Sequence, residues 1–193
     1  MVESKTSGAP VGSQATGGEI GGHDVSVIRP EVRIEQFKIR GHAMSRRKRR
    51  AIRRGLRRLC NLETLAVGVY RYQIHRRMCE HNRELIAAMC NEMTHLQDYM
   101  VKLFEYSGRP SWIRGLYGWA GAMVGFGSRL MGRTRSLRAG IWVEKGTIED
   151  YRALLKSVEW DDETRAVIEK NLADEHGHIG RWKELLRTAE PDY

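Results

Sequence analysis

The sequence predicts an all-α protein built as a bundle of four helices, and three observations support that prediction. Apolar residues recur at helical spacing in four separate segments. A stretch rich in Gly and Trp separates the second segment from the third. Each of the four apolar stripes also contains a glutamate, a residue that a helix rarely directs into its core. At 193 residues, the chain has room for one such domain and a tail.

The tail is predicted over residues 1–42, ahead of a folded domain over residues 43–193. The tail is rich in Gly, Ser, Thr and Val and has no sustained period, which is typical of a disordered or loosely docked arm. It carries acidic residues and no apolar core, so it resembles neither a secretory signal nor a good mitochondrial presequence. The three cysteines form no Cys-x-x-Cys pair and indicate free thiols in a reducing compartment. We therefore expect a cytoplasmic protein.

A basic run opens the first helix. Residues 46–58 carry nine Lys or Arg and no acid, against a formal net charge of +9 for the whole chain. Such a segment suits the phosphates of nucleic acid or the headgroups of anionic lipid. It is equally typical of a solvated helix start, and composition does not choose among the three.

The first two helices are predicted from Met44 to about Glu80 and from Asn82 to about Tyr106. In the first, apolar residues follow the basic run at helical spacing, and Glu63 lies inside their stripe. In the second, Glu92 occupies the same kind of position, and Ser-Gly-Arg-Pro then ends the helix.

The crossover between the helix pairs is predicted over residues 111–132. Only fourteen uncharged positions separate Arg114 from Arg129, fewer than the roughly twenty that a membrane span needs. The Gly- and Trp-rich composition favours a segment lying at a membrane interface. A buried hairpin that uses small residues for close packing is the alternative.

The last two helices are predicted from about Ser136 to Ser157 and from the acidic residues 161–163 to Leu186. Acidic side chains suit the positive N-terminus of a helix, which places the start of the fourth one. Glu144 and Glu175 lie in the apolar stripes of these two helices.

The glutamates form a repeated pattern that includes two histidines. Each half of the chain gives one helix with a single glutamate and then one with Glu-x-x-His, a spacing that puts both side chains on one helix face. The separations between the two glutamates are 29 residues in the first half and 31 in the second, which indicates an internal duplication. The six candidate ligands are Glu63, Glu92, His95, Glu144, Glu175 and His178.

Four carboxylates in one core require compensating cations. Four glutamates and two histidines are the ligand set of dinuclear carboxylate centres in ferritin-like bundles, so we expect two iron ions, with manganese as an alternative. Either Glu92 and Glu175 or Glu63 and Glu144 would bridge the ions, and the spacing does not decide between these pairs.

Beyond these ligands, the chain resembles the demethoxyubiquinone hydroxylase family, ferritin-like di-iron monooxygenases of ubiquinone biosynthesis. The resemblance covers roughly residues 57–186. It rests on motifs in "ETLAVGVYRYQ", "RP", "AGAMVGFGSRLMG" and the Val-Glu segment, through Ala66, Tyr70, Gln73, Arg109, Pro110, Ala120, Gly121, Gly125, Gly127, Gly132, Val143, Glu144, Glu149 and Tyr151. The chain departs from the family near the ligands, at Cys60-Asn61-Leu62, Asp150 and Ile179-Gly180.

The resemblance implies hydroxylation of a demethoxyubiquinone-like ring with dioxygen as co-substrate and an electron donor that the sequence does not identify. It implies an isoprenoid quinone substrate, delivered where the crossover meets the membrane, and a protein bound peripherally to an anionic inner-membrane surface. It also implies a catalytic role for Tyr151, which lies two turns beyond Glu144 on the same face. A substrate-presenting partner protein and a homo-oligomer are both compatible with the sequence.

Two other function classes remain as alternatives. One is another ferritin-like di-metal activity, such as an oxidase, a peroxidase or a ferroxidase. The other is a nucleic-acid-binding module that uses the basic run, which is disfavoured because it leaves the six ligand candidates unexplained.

Overall fold

The computed structural model describes residues 37–75 and 79–188, and within these ranges it contains five α-helices and no strand. The helices are α1 (Arg46–Gln73), α2 (Glu80–Glu105), α3 (Arg114–Leu130), α4 (Arg133–Ser157) and α5 (Asp162–Thr188). The pairs α1 with α2 and α4 with α5 pack along their lengths, α1 contacts α4, and α2 contacts α5. The predicted all-α bundle is confirmed. Residues 1–36 of the predicted N-terminal arm lie outside the described residues.

The core of the bundle consists of two apolar clusters separated by polar side chains. One cluster contains Leu59, Tyr99, Tyr151 and Ile168, and the other contains residues such as Ala88 and Trp182. Along each of the four bundle helices, the predicted ligands lie between the residues that enter the two clusters. Apolar packing on both sides therefore fixes the depth at which the polar layer lies.

Helix α1 begins two residues after the predicted Met44 and ends earlier than predicted. Ser45 caps its N-terminus, where the side-chain oxygen accepts a hydrogen bond of 3.2 Å from the Lys48 N–H. The prediction that this helix reaches about Glu80 is wrong, because Ile74 is extended. The Asn82 side chain binds both the N–H and the C=O of His75, at 3.0 and 2.7 Å, and so uses backbone groups that a longer helix would need.

The crossover is a single helix, α3, packed against α1. A Cβ atom on Gly121 would lie 2.1 Å from the Leu65 carbonyl oxygen, and one on Gly125 would lie 2.3 Å from that of Val69. Only glycine permits this approach of two helix backbones. The alternative of a buried hairpin is wrong as to shape, although its close packing through small residues is present.

The outer face of α3 exposes large apolar side chains, namely Leu116, Trp119, Met123, Phe126 and Leu130. Among the described helices, none combines the length and the apolar composition needed to cross a membrane.

The starts of α4 and α5 follow from local features of the chain. Helix α4 begins at Arg133, three residues before the predicted Ser136, because Gly132 adopts a φ of 88° and turns the chain directly into the helix. At the start of α5, the Asp161 carboxylate accepts a hydrogen bond of 3.2 Å from the Thr164 N–H. Acidic residues fill the first turn of this helix, as predicted.

Candidate metal centre

The structure brings all six predicted ligands together in the polar layer of the bundle. Each bundle helix supplies its glutamate, and α2 and α5 each add a histidine one turn later. All six side chains are buried. Their convergence follows from the sequence pattern, because each ligand lies on the face of its helix that packs into the core.

The ligands form two overlapping groups, each of which could hold a metal ion. Glu63 and His95 belong to the first group, and Glu144 and His178 belong to the second. Glu92 and Glu175 belong to both. In each group, one ligand atom per residue lies within 4.8 Å of every other. The geometry therefore favours Glu92 and Glu175 as the shared pair, a choice that the sequence left open.

Both histidines direct Nδ1 toward the carboxylates. His178 Nδ1 lies 3.0 Å from Glu92 Oε1, 3.2 Å from Glu144 Oε1 and 3.5 Å from Glu175 Oε2. His95 Nδ1 lies 3.3 Å from Glu175 Oε1. The imidazole planes are inclined by 22°, with ring centroids 6.5 Å apart. Each imidazole therefore serves one of the two ligand groups.

Unsatisfied oxygen atoms fill the space between these side chains. Among the described residues, no donor reaches either carboxylate oxygen of Glu92 or Glu175, or one oxygen each of Glu63 and Glu144, with the geometry of a hydrogen bond. Buried carboxylate oxygens without partners are strongly destabilising unless a cation compensates them. The donor set of carboxylate oxygens and imidazole nitrogens suits iron or manganese. The residues present thus fit a pair of metal ions.

The electrostatics of the cluster support the same conclusion. Burial, reinforced by the neighbouring glutamates, raises the pKa of Glu92 and of Glu144 well above the ordinary value. Burial opposes protonation of His95, but the carboxylates of Glu175 and Glu63 outweigh it and raise the pKa of His95 to about 10. In the metal-free protein, protons on these side chains would reduce the repulsion between the buried carboxylates. Metal ions that bind there must displace these protons.

A chain of two tyrosines supports Glu63. The Tyr151 hydroxyl donates a hydrogen bond to Glu63, and the Tyr99 hydroxyl donates to Tyr151 at 2.6 Å. Burial and the Glu63 charge raise the pKa of Tyr151 well above its ordinary value, so this hydroxyl keeps its proton at neutral pH. Tyr151, the predicted catalytic residue, thus lies directly beside a candidate ligand.

The other half of the centre repeats this arrangement. The Tyr70 hydroxyl donates to Glu144, and the Trp182 indole N–H lies 3.4 Å from the Tyr70 oxygen. Tyr70 and Tyr151 each follow their own helix's glutamate by seven residues, yet each binds the glutamate of the other half. The two hydrogen bonds therefore connect α1 and α4 in both directions.

The histidines have partners on their second ring nitrogens. His95 Nε2 lies 3.2 Å from the Asp174 carboxylate, and His178 Nε2 lies 3.2 Å from the Asn91 amide. Asp174 and Asn91 each come one residue before a shared glutamate. Such partners fix the orientation of a ligating imidazole.

Sequence reasoning missed this outer layer, including Tyr99, Trp182, Asn91 and Asp174 as supporting residues. A signal for it was present in the duplication. Tyr99 and Trp182 both lie seven residues after a shared glutamate, and Asn91 and Asp174 both lie one residue before it. Positions at equal offsets from matched ligands occupy matched places in the bundle.

A comparison with protein families identifies a match over most of the chain. The model of the family described as "Ubiquinone biosynthesis protein COQ7" matches residues 53–189, which include all six candidate ligands and Tyr151. No curated protein matches the chain.

Proposed function

The chain belongs to the ubiquinone biosynthesis protein COQ7 family, and on that premise we propose that it is a di-iron monooxygenase that hydroxylates a demethoxyubiquinone-like quinone ring with dioxygen. The two overlapping ligand groups are the observation that carries this proposal. Bound iron would supply the activation of dioxygen. The protein would supply the correctly placed ligands and the side chains that hold protons around the iron.

In this proposal, Glu92 and Glu175 would be ligands of both ions, since both residues lie in both groups. Glu63 and His95 complete one position, and Glu144 and His178 complete the other. Tyr151 acts on Glu63 by holding a proton at its hydroxyl, and Tyr99 keeps that hydroxyl oriented. We assign Tyr151 the role of orienting the Glu63 carboxylate through a hydroxyl that stays protonated.

A groove between α1 and α4 offers a route for a quinone ring toward these ligands. Its volume is about 520 Å³. Leu62 and Leu65, on either side of Glu63, line it together with Trp142 and Val143, which precede Glu144. Lys145, Glu149 and Asp150 also line the groove, so it offers charged groups as well as apolar side chains. Apolar walls with a few polar groups suit a quinone ring that carries oxygen atoms and a hydrocarbon tail.

The surface near this groove suits peripheral contact with a membrane. The large apolar residues on the outer face of α3 would enter the interface between headgroups and acyl chains. The basic run would add attraction to anionic lipid through Arg46, Arg47, Arg50 and Arg54, which line an outward groove. Other members of the run are held by the protein, because Arg53 and Arg57 donate to the carbonyls of Tyr106 and Arg109 at 2.7 and 2.8 Å.

The test compares quinone intermediates in cells that express the native chain or the Glu144→Ala variant. We expect the unhydroxylated quinone precursor to accumulate with Glu144→Ala, because one metal position loses a ligand. Glu169→Ala removes an exposed glutamate on α5 and serves as the control. Unchanged quinone pools in cells with a folded Glu144→Ala protein would reject the proposed reaction.

Membrane contact has a separate test. We expect the purified chain to sediment with liposomes that contain anionic lipid, and replacing Trp119 and Phe126 with serine to reduce the bound fraction. Equal sedimentation of the native chain and the double variant would reject α3 as the contact surface.

A further inference from the structure

A second group of polar side chains lies at the end of the bundle where α1 joins α2 and α3 joins α4. It consists of His75, His81, Arg129 and Arg133, which we call the turn cluster. The rings of His75 and His81 have centroids 6.4 Å apart. Arg129 donates a hydrogen bond of 3.2 Å to the carbonyl of Ile74, next to His75. None of these residues belongs to the metal centre.

The central residue of the turn cluster is a buried histidine without partners. His81 is only 5 % exposed, and neither of its ring nitrogens has a hydrogen-bond partner among the described residues. The Nε of Arg133 is likewise buried and unpaired in this part of the chain. Buried polar groups in native proteins nearly always have a partner, so these atoms indicate a missing ligand.

The positive charge around His81 indicates that the missing ligand is an anion. Within the described ranges, neither Arg129 nor Arg133 forms an ion pair, and the first turn of α4 contains no acidic residue. The positive end of the α4 dipole instead carries Arg133, and Gly132 at the N-cap has no side chain to cap it. Arginine at a helix N-terminus is electrostatically unfavourable unless an anion lies nearby.

Electrostatic effects on the two histidines agree with this excess of positive charge. Burial, together with the charges of Arg133 and His75, lowers the pKa of His81 to about 4. Burial and the charge of Arg129 also lower the pKa of His75. A bound anion would oppose the Coulomb part of both effects and raise the pKa of both histidines. A neutral His81 already has one ring N–H that can donate to the anion.

The turn cluster is also held in place before any ligand binds. The two hydrogen bonds from the Asn82 side chain fix the backbone of His75. His81 and Arg133 lie on the first turns of helices, which are rigid elements. The backbone positions that carry these donors are therefore fixed before an anion binds, which lowers the conformational entropy cost of binding.

We propose that the turn cluster binds a phosphate group, with Arg129 and Arg133 supplying the charge and His81 supplying a buried hydrogen bond. Donors approach from three helix ends, which suits a tetrahedral group with several oxygen atoms better than a planar carboxylate. The group could belong to free phosphate or to a phospholipid, since Leu130 and Met131 beside Arg129 are exposed apolar residues. This site is independent of the proposed hydroxylase activity.

The first experiment titrates the full chain with inorganic phosphate and follows the imidazole nitrogens by nuclear magnetic resonance. We expect the His81 signals to shift on binding and the pKa of His81 to rise. Arg133→Gln should weaken phosphate binding at least tenfold. Arg165→Gln removes the same charge from an exposed position near the start of α5 and should change the affinity less than twofold.

Arg129→Gln provides a second variant in case Arg133→Gln does not fold, as judged by circular dichroism. The proposal is overturned if His81 signals do not respond to phosphate. It is also overturned if the turn variants and Arg165→Gln weaken binding equally, since that result would indicate only general attraction to positive charge.

A second arm identifies the source of the phosphate group. The same titration is repeated with dihexanoyl phosphatidic acid at concentrations where it is monomeric. Binding at least tenfold tighter than that of inorganic phosphate assigns the turn cluster to a phospholipid headgroup. Equal affinities assign it to free phosphate, and either result supports a phosphate site.

Discussion

The two halves of the metal centre are alike in their ligands and different in the residues that support them. Helices α1 and α2 supply the same ligand types, in the same order, as α4 and α5. Seven residues after the shared glutamate, however, one half has Tyr99 and the other has Trp182. One residue before it, one half has Asn91 and the other has Asp174. The supporting residues of the two halves thus occupy matched positions but differ in residue type.

This difference would make the two proposed metal positions unequal. His95 faces a carboxylate, whereas His178 faces a neutral amide. A carboxylate partner raises the basicity of a ligating imidazole more than an amide does. The position that uses His95 should therefore hold its ion more firmly.

The largest expected effect is on metal affinity, and it should differ between a variant of a shared glutamate and a variant of an unshared one. Glu175→Ala removes a ligand from both positions, while Glu63→Ala removes one from the first position only. We expect Glu175→Ala to lower the affinity for both ions by about 100-fold or more, with Glu63→Ala lowering the affinity for one. Metal analysis after anaerobic reconstitution measures the stoichiometry. Equal loss from the two variants would contradict the assignment of Glu175 as shared.

The second prediction concerns a variant in which the ligand histidines of both halves have an amide partner. Asp174→Asn gives His95 the same kind of partner that His178 has, and should weaken the stronger position by about 10- to 100-fold. Calorimetric titration with manganese under anaerobic conditions would show two similar sites in place of two unequal ones. Asp162→Asn changes an acidic residue at the far end of the same helix and is the control. Unequal sites that persist in Asp174→Asn would show that this residue is not the source of the difference.

The third prediction concerns the stability of the metal-free protein. The pKa of His95 is raised from 6.5 to about 10, so its contribution to stability is fully present below about pH 6.5 and is lost as the pH rises through about 10. The free energy of unfolding should fall by up to about 1.4 kcal/mol per pH unit between these values. Urea denaturation at several pH values measures this slope.

Metal loading provides the control for that slope. Ions that bind His95 through Nδ1 displace its proton, so the loaded protein should lose most of the dependence between pH 7 and 10. The same slope with and without metal would argue against His95 as a ligand.

The smallest expected effect comes from the tyrosine chain. Tyr99→Phe removes the hydroxyl that donates to Tyr151 at 2.6 Å and should destabilise the fold by about 1 kcal/mol. The exposed Tyr72 offers a matched control, since Tyr72→Phe should leave stability unchanged. Chemical denaturation of both variants measures the change in the free energy of unfolding. An unchanged midpoint for Tyr99→Phe would show that the hydrogen bond between Tyr99 and Tyr151 does not stabilise the fold.

The ligands could be predicted from sequence because their spacing repeats and because a glutamate in an apolar stripe is costly. The bridging pair could not, since it depends on which side chains meet across the bundle. The end of α1 was missed because it depends on Asn82 binding the backbone of His75 seven residues away. The crossed bonds of Tyr70 and Tyr151 were missed for a similar reason, because each tyrosine binds a glutamate on another helix.

Counting the metal ions in the native chain tests the central claim most directly. Anaerobic reconstitution with ferrous iron, followed by metal analysis and Mössbauer spectroscopy after oxidation, reports both the number of ions and their magnetic coupling. Sharing of Glu92 and Glu175 predicts two iron ions per chain that are coupled to each other. One ion per chain, or two ions without coupling, would contradict it.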